Sequence, residues 1–126
     1  MPPTRLILKI PKTDLITQHL QTLHWLPIGV RVQHKICSLC FNAINFPGPC
    51  YLADLLEIYA SSRHLRSSAY TCTLSIPSLH TKTYSQRAFS HFAPTLWNNL
   101  SKIILNSESL PSFKSALKTH LFRLCN

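Results

Sequence analysis

The longest hydrophobic pattern in the chain lies between two proline corners. Pro27 ends whatever precedes it, because its ring fixes φ and carries no N–H donor, and the run Phe46-Pro47-Gly48-Pro49 breaks the chain again. Between them the polar residues Arg31, His34, Lys35, Ser38, Asn42 and Asn45 recur at helical spacing as one narrow stripe. Val30, Val32, Ile36, Cys37, Leu39, Cys40, Phe41, Ala43 and Ile44 fill the remainder. A helix that is apolar over most of its circumference has to be surrounded rather than merely docked. The pattern therefore predicts a central helix at about 28–45, with the other segments packed round it.

The flanking patterns supply those segments. Residues 5–10 are a short apolar piece ended by Pro11. Thr13 or Asp14 is placed to cap a helix over 15–25, in which Leu15, Ile16, His19, Leu20, Leu23 and Leu26 keep a 3/4 spacing. Its low charge predicts that it lies against the central helix. Pro49 opens a third helix over 50–59, with Tyr51, Leu52, Leu55, Leu56 and Tyr59 as its buried face. From Ala60 the texture changes to a serine- and arginine-rich loop, SSRHLRSS, followed by a loose alternation over 70–76 that predicts one short strand. The segment RAFSHFAPTLWNNL reads as strand at its start and helix near 96–100, so two strands would pair as a small antiparallel ribbon within 70–92. Ser109 caps a last helix that runs to Leu124, with Pro111 in its first turn and Leu110, Phe113, Leu117, Leu121 and Leu124 on one face. The expected fold is mainly α: a small helical bundle round the central helix. It divides into a helical part (1–59), a basic loop- and strand-rich part (60–108) and a C-terminal helix (109–126).

At 126 residues the chain is a single domain or domain fragment. Charge adds a direction to that picture. Thirteen Lys and Arg stand against four acids, for a net charge of +9. No acid occurs over 58–107, where Arg63, Arg66, Lys82, Arg87 and Lys102 all lie. Such an excess favours polyanions through counterion release; the alternative is a solvated basic surface with no specific ligand. No window reaches the roughly 18 apolar residues of a membrane span, and LILKIP is too soon broken for a secretory leader. The chain reads as intracellular, cytoplasmic or nuclear, with five reduced cysteines. Cys37 and Cys40 form a CxxC inside a helical pattern, with His34 as the only nearby third donor. That arrangement reads as core packing; its alternative is a small zinc module through Cys37, Cys40 and His34.

Catalytic patterns are sparse. Four acids, of which only Asp54 and Glu57 lie close on one helix face, make no two-metal carboxylate cluster. Gly29 and Gly48 are the only glycines, so there is no phosphate loop and no nucleophile elbow. A Cys–His pair formed only in the fold is the arrangement that spacing leaves open. The expectation is a chain that is not an enzyme and takes no cofactor, metal or small-molecule substrate.

Several stretches in order carry a resemblance: LHWLPIGVRVQHKI, PCYLADLLEIYASSRHLRSS, SIPSLHTKTYSQRAFSHFAPTLWNNL and SLPSFKSALKTHLF. Together they resemble the region downstream of the reverse transcriptase domain in LINE-type (non-LTR) retrotransposon polyproteins, over nearly the whole chain. The resemblance implies a non-catalytic C-terminal fragment, since the parent's polymerase and endonuclease motifs lie upstream. It implies an open reading frame broken off at a chance Met1, with weak nonspecific RNA or DNA binding at most. The residues it assigns to that binding are Arg63, Arg66, Lys82, Arg87, Lys114, Lys118 and Arg123. It also implies an upstream polymerase domain as a partner, which would cover apolar surface such as Phe46 and 103–105. Ser78 and Ser85 replace an Arg and a Gly usual in similar tails, and Cys37 and Cys40 stand where an aliphatic is usual. The competing expectation is a domesticated protein-interaction module that docks a partner through the Trp25, Phe41 and Trp97 region or through the last helix.

Overall fold

The central helix forms where the hydrophobic pattern places it. In the computed structural model, which describes residues 3–63, 72–81 and 83–125, it spans Ile28–Asn45. Pro27 precedes it in extended conformation, and the Pro27 carbonyl accepts the first helical bond from Arg31 N–H at 2.9 Å. Phe46 leaves the helix extended, and the Pro-Gly-Pro run continues the break. Six other α-helices are described. In chain order the seven are α1 (Pro3–Leu8), α2 (Ile16–Thr22), the central α3, α4 (Cys50–Ala53), α5 (Phe89–Asn98), α6 (Lys102–Leu105) and α7 (Leu110–Cys125). The fold is mainly helical, as the sequence predicts.

Three of these helices make the core. Phe41 of α3 stacks on Phe113 of α7 with centroids 4.3 Å apart and rings 18° from parallel. Trp97 of α5 closes the triangle at 6.5 Å from Phe41 and 5.9 Å from Phe113. Cys37, Cys40, Ala93, Leu117 and Leu121 fill the space around them, with Leu26, Leu74 and Ile104 sealing the edges. The last helix follows the expected register: Phe113, Leu117 and Leu121 are buried and Leu110 packs against the core. Leu124, in the last turn of α7, is 71% exposed.

Several expectations are corrected. The third helix stops after four residues instead of running to 59. Leu55 and Leu56 continue only as tight turns, their N–H groups bonding to Leu52 and Ala53 carbonyls. Ile58 then forms an isolated antiparallel bridge with Leu74, flanked by Tyr59 N–H to Thr73 O (2.8 Å) and Ser75 N–H to Glu57 O (2.7 Å). Extended pairing suits the β-branched and aromatic Ile58 and Tyr59 better than a helix end does, and Tyr51, Leu55 and Tyr59 are left exposed. So no two-stranded ribbon forms within the described part of 70–92; residues 70, 71 and 82 lie outside it. The RAFS segment is a 3₁₀ turn, Ser85–Arg87, leading into α5. Pro94 lies inside that helix and removes one bond, to the Ser90 carbonyl. Its cost is offset by the burial of Ala93, Pro94 and Trp97 on one face.

Side chains of α5 replace the missing strand partner. Asn98 Oδ1 accepts from Leu74 N–H at 3.0 Å, Asn98 Nδ2 donates to Leu74 O at 2.9 Å, and Trp97 Nε1 donates to Cys72 O at 2.8 Å. The helix α2 is also shorter than 15–25, has no side-chain cap from Thr13 or Asp14, and buries no residue. Among the described residues it packs on α1, not on α3, and Arg5 of α1 holds the loop between the two through bonds to the Pro11 and Asp14 carbonyls.

The aromatic triangle predicts a sharp contrast in urea unfolding. Phe113→Ala is expected to cost about 3–5 kcal/mol, while Leu124→Ala, on the same sequence stripe but exposed, stays within about 0.5 kcal/mol.

Candidate nucleic-acid interface

A cationic and aromatic cavity forms where the α2–α3 corner meets α7. The corner is a Schellman-type cap. His24 adopts left-handed backbone (φ 51°), its N–H bonds to Gln21 O at 3.0 Å, and Trp25 N–H reaches back to Leu20 O at 2.9 Å. That turn places His24 and Trp25 beside the first turns of α3. Arg31 then returns over the corner: its Nε donates to Leu26 O at 2.8 Å and its guanidinium carbon stands 5.4 Å from the Trp25 ring centroid. The corner bond uses only Nε, so the guanidinium keeps its Nη donors for an anion.

The opposite wall comes from α7. His34 Nε2 lies 3.1 Å from Lys114 O, and because a carbonyl only accepts, the bond selects the Nε2–H tautomer. One turn on from Lys114, Lys118 completes a cavity of about 400 Å³ lined by His24, Trp25, Leu26, Arg31, His34 and Lys118. The His24 ring also packs on Phe122 of α7, centroids 5.4 Å apart. Among the described residues no carboxylate lines this cavity. An aromatic platform with fixed cations is the arrangement that takes a base and its phosphate.

The structure divides the basic residues named from sequence. Lys118 lines this site, and Lys114, one turn before it on α7, gives its backbone carbonyl to His34. Arg123, nine residues on from Lys114, falls on the opposite side of α7. Arg87 lies across α3, at a second cavity between α3 and α5. Arg63 is exposed in a loop turn in which Ser61 Oγ accepts from Arg63 N–H at 3.2 Å. Arg66 and Lys82 lie outside the described residues. Arg31, Trp25, His24 and His34 were not among the residues assigned to binding. The signal that points to Arg31 is its position just after a Trp-x-Pro corner, one helical turn beyond Pro27.

Other readings of the sequence fare differently. Phe41 and Trp97 are buried at 1% and 2% exposure, so they present no docking surface; of that trio only Trp25 reaches solvent. Cys37 and Cys40 pack in the core, and no group of three or more His, Cys, Asp or Glu among the described residues is placed to hold a metal ion. Burial pushes the Cys37 thiol up to about 11. Burial, with a smaller contribution from Cys37, pushes Cys40 up to about 12. Neutral, buried thiols are poor nucleophiles. No helix among the described residues is long and apolar enough to cross a membrane. Comparison with known proteins finds no matching family model, curated protein or solved structure.

The raised thiols set an alkaline limit on stability. Unfolded cysteines ionise near 9.0, while Cys37 and Cys40 hold their protons to about 11 and about 12. Their contribution is full below the unfolded value and is lost as pH rises through the folded ones. Circular dichroism against pH is expected to show loss of helix in that alkaline window, and Cys37→Ala with Cys40→Ala to remove part of that pH dependence.

Proposed function

We propose that the chain is a non-catalytic nucleic-acid-binding module, the tail of a LINE-type retrotransposon polyprotein whose polymerase chemistry lies upstream. One observation carries the binding half: Arg31, His34 and Lys118 converge on Trp25 in one cavity free of carboxylates. The ordered motif set carries the family half. Charge sets the strength. With Lys114 one turn away on α7, the site offers about three phosphate contacts, so single-strand affinity falls about 20-fold between roughly 50 and 200 mM salt. Binding of that kind is weak and indifferent to sequence, with Trp25 favouring unstacked bases over duplex.

Fluorescence anisotropy with labelled single-stranded RNA, single-stranded DNA and duplex DNA across a salt series tests this reading. Single strands are expected to bind more tightly than duplex. Arg31→Ala and Lys118→Ala are each expected to lower the slope of log K against log salt by about 1, while Arg123→Ala leaves it unchanged. Salt-independent or absent binding, or an Arg123→Ala effect equal to that of Lys118→Ala, would overturn it.

A further inference from the structure

The central helix is covered on one side only. Among the described residues α7, α5 and α4 pack on it, while α1 and α2 pack on each other. The uncovered line of α3 carries Ile28, Val32 and Ile36 at i, i+4 and i+8. Ile28 is 78% exposed, Val32 49%, and Ile36 is half-buried. One exposed aliphatic means little, but these three form a line about 12 Å long. At its inner end the line enters a cavity of about 530 Å³, whose far wall is Phe92 and Thr95 of α5. Arg87 stands at that cavity, and Lys35, seven residues after Ile28, is exposed on the same side of α3. The result is an apolar groove with Lys35 on its α3 side, Arg87 on its α5 side and, among the described residues, no carboxylate in its deep part.

Charge decides what fits there. A second copy of this chain, at net +9, would set its own cations against Lys35 and Arg87. A partner with acidic flanks gains instead, and a helix matches the straight i, i+4, i+8 line. We infer that the outer line of α3 and the cleft beside α5 dock an acidic amphipathic helix of a partner protein. Its apolar anchors lie on Ile28 and Val32, one large side chain enters the cleft between Ile36 and Phe92, and Asp or Glu residues meet Lys35 and Arg87. This groove shares no residue with the Trp25–Lys118 cavity, so the inference stands apart from nucleic-acid binding.

The test uses the full chain and a fluorescein-labelled helical peptide of about five turns, with Leu at the anchor positions, Glu on both flanks, and a scrambled peptide of equal composition as control. The ordered peptide is expected to bind at least about tenfold more tightly than the scrambled one and to keep most of its affinity in high salt. Ile28→Asp and Val32→Asp change exposed positions outside the core. Each is expected to weaken the peptide about tenfold with helicity unchanged by circular dichroism and a smaller loss of oligonucleotide binding. Equal binding of both peptides would reduce the contact to charge and overturn the inference. So would no binding of the ordered peptide, an unchanged affinity in Val32→Asp, or a loss of oligonucleotide binding in Val32→Asp as large as the loss for the peptide.

Discussion

The stacking of Phe41, Trp97 and Phe113 is the constraint on which the rest of the molecule depends. Each ring comes from a different helix, so the three contacts fix the spacing of α3, α5 and α7 at once. Aromatic pairs combine large buried area with a geometric preference, and here the close pair is the one between the two longest helices. Cys37, Cys40 and Ala93 are small enough to let the backbones approach round the rings. Trp97 extends the constraint further, because its indole N–H holds the Cys72 carbonyl and brings residues 72–74 against α5. With Asn98 bonded to both polar groups of Leu74, that extended segment needs no second strand beyond the single bridge at Ile58.

Much of this fold is legible in the sequence, and the lapses share a cause. Helices α3 and α7 are readable because each has a long 3.6-residue pattern bounded by proline or serine. The segment over 50–59 carries an equally plausible pattern, yet Ile58 and Tyr59 gain more from extended pairing with residues 73–75 than from a third helical turn. That choice depends on a partner distant in the chain, which no local window contains. In α5 the opposite happens: Pro94 and Phe89 argue for a break, while Ala93 and Trp97 bring enough burial to hold the helix together. Ser38 shows the same limit on a smaller scale. It belongs to the polar stripe of α3 but is buried at 6% exposure, its hydroxyl bonded back to His34 O at 2.7 Å.

The candidate interface was half legible for a related reason. Net charge and the Lys114–Lys118 pair are visible in any sequence reading, and Lys118 does line one wall. Trp25 and Arg31 meet only because His24 takes a left-handed backbone and turns the chain across the start of α3. A histidine there gives no warning, since glycine or asparagine is the usual residue at such a cap. The contact between His34 and the Lys114 carbonyl spans 80 residues, so the sequence offers no clue that these walls face each other.

The central helix thus carries two unlike surfaces separated by a fraction of a turn. Arg31 belongs to the cationic cavity, and Lys35, one turn on, borders the apolar groove. Both proposed ligands, a nucleic acid and an acidic helix, bring negative charge to this neighbourhood. One helical turn is about 5.4 Å, shorter than the roughly 8 Å screening length at physiological salt. Each bound ligand therefore lies within the field of the cations that attract the other, and two polyanions side by side repel. Occupancy of one surface lowers affinity at the other by a reciprocal factor, although they share no residue. Salt that screens this repulsion weakens the nucleic-acid contact far more than the apolar one. On the two proposed readings taken together, rising ionic strength shifts the +9 chain from nucleic acid toward the partner helix.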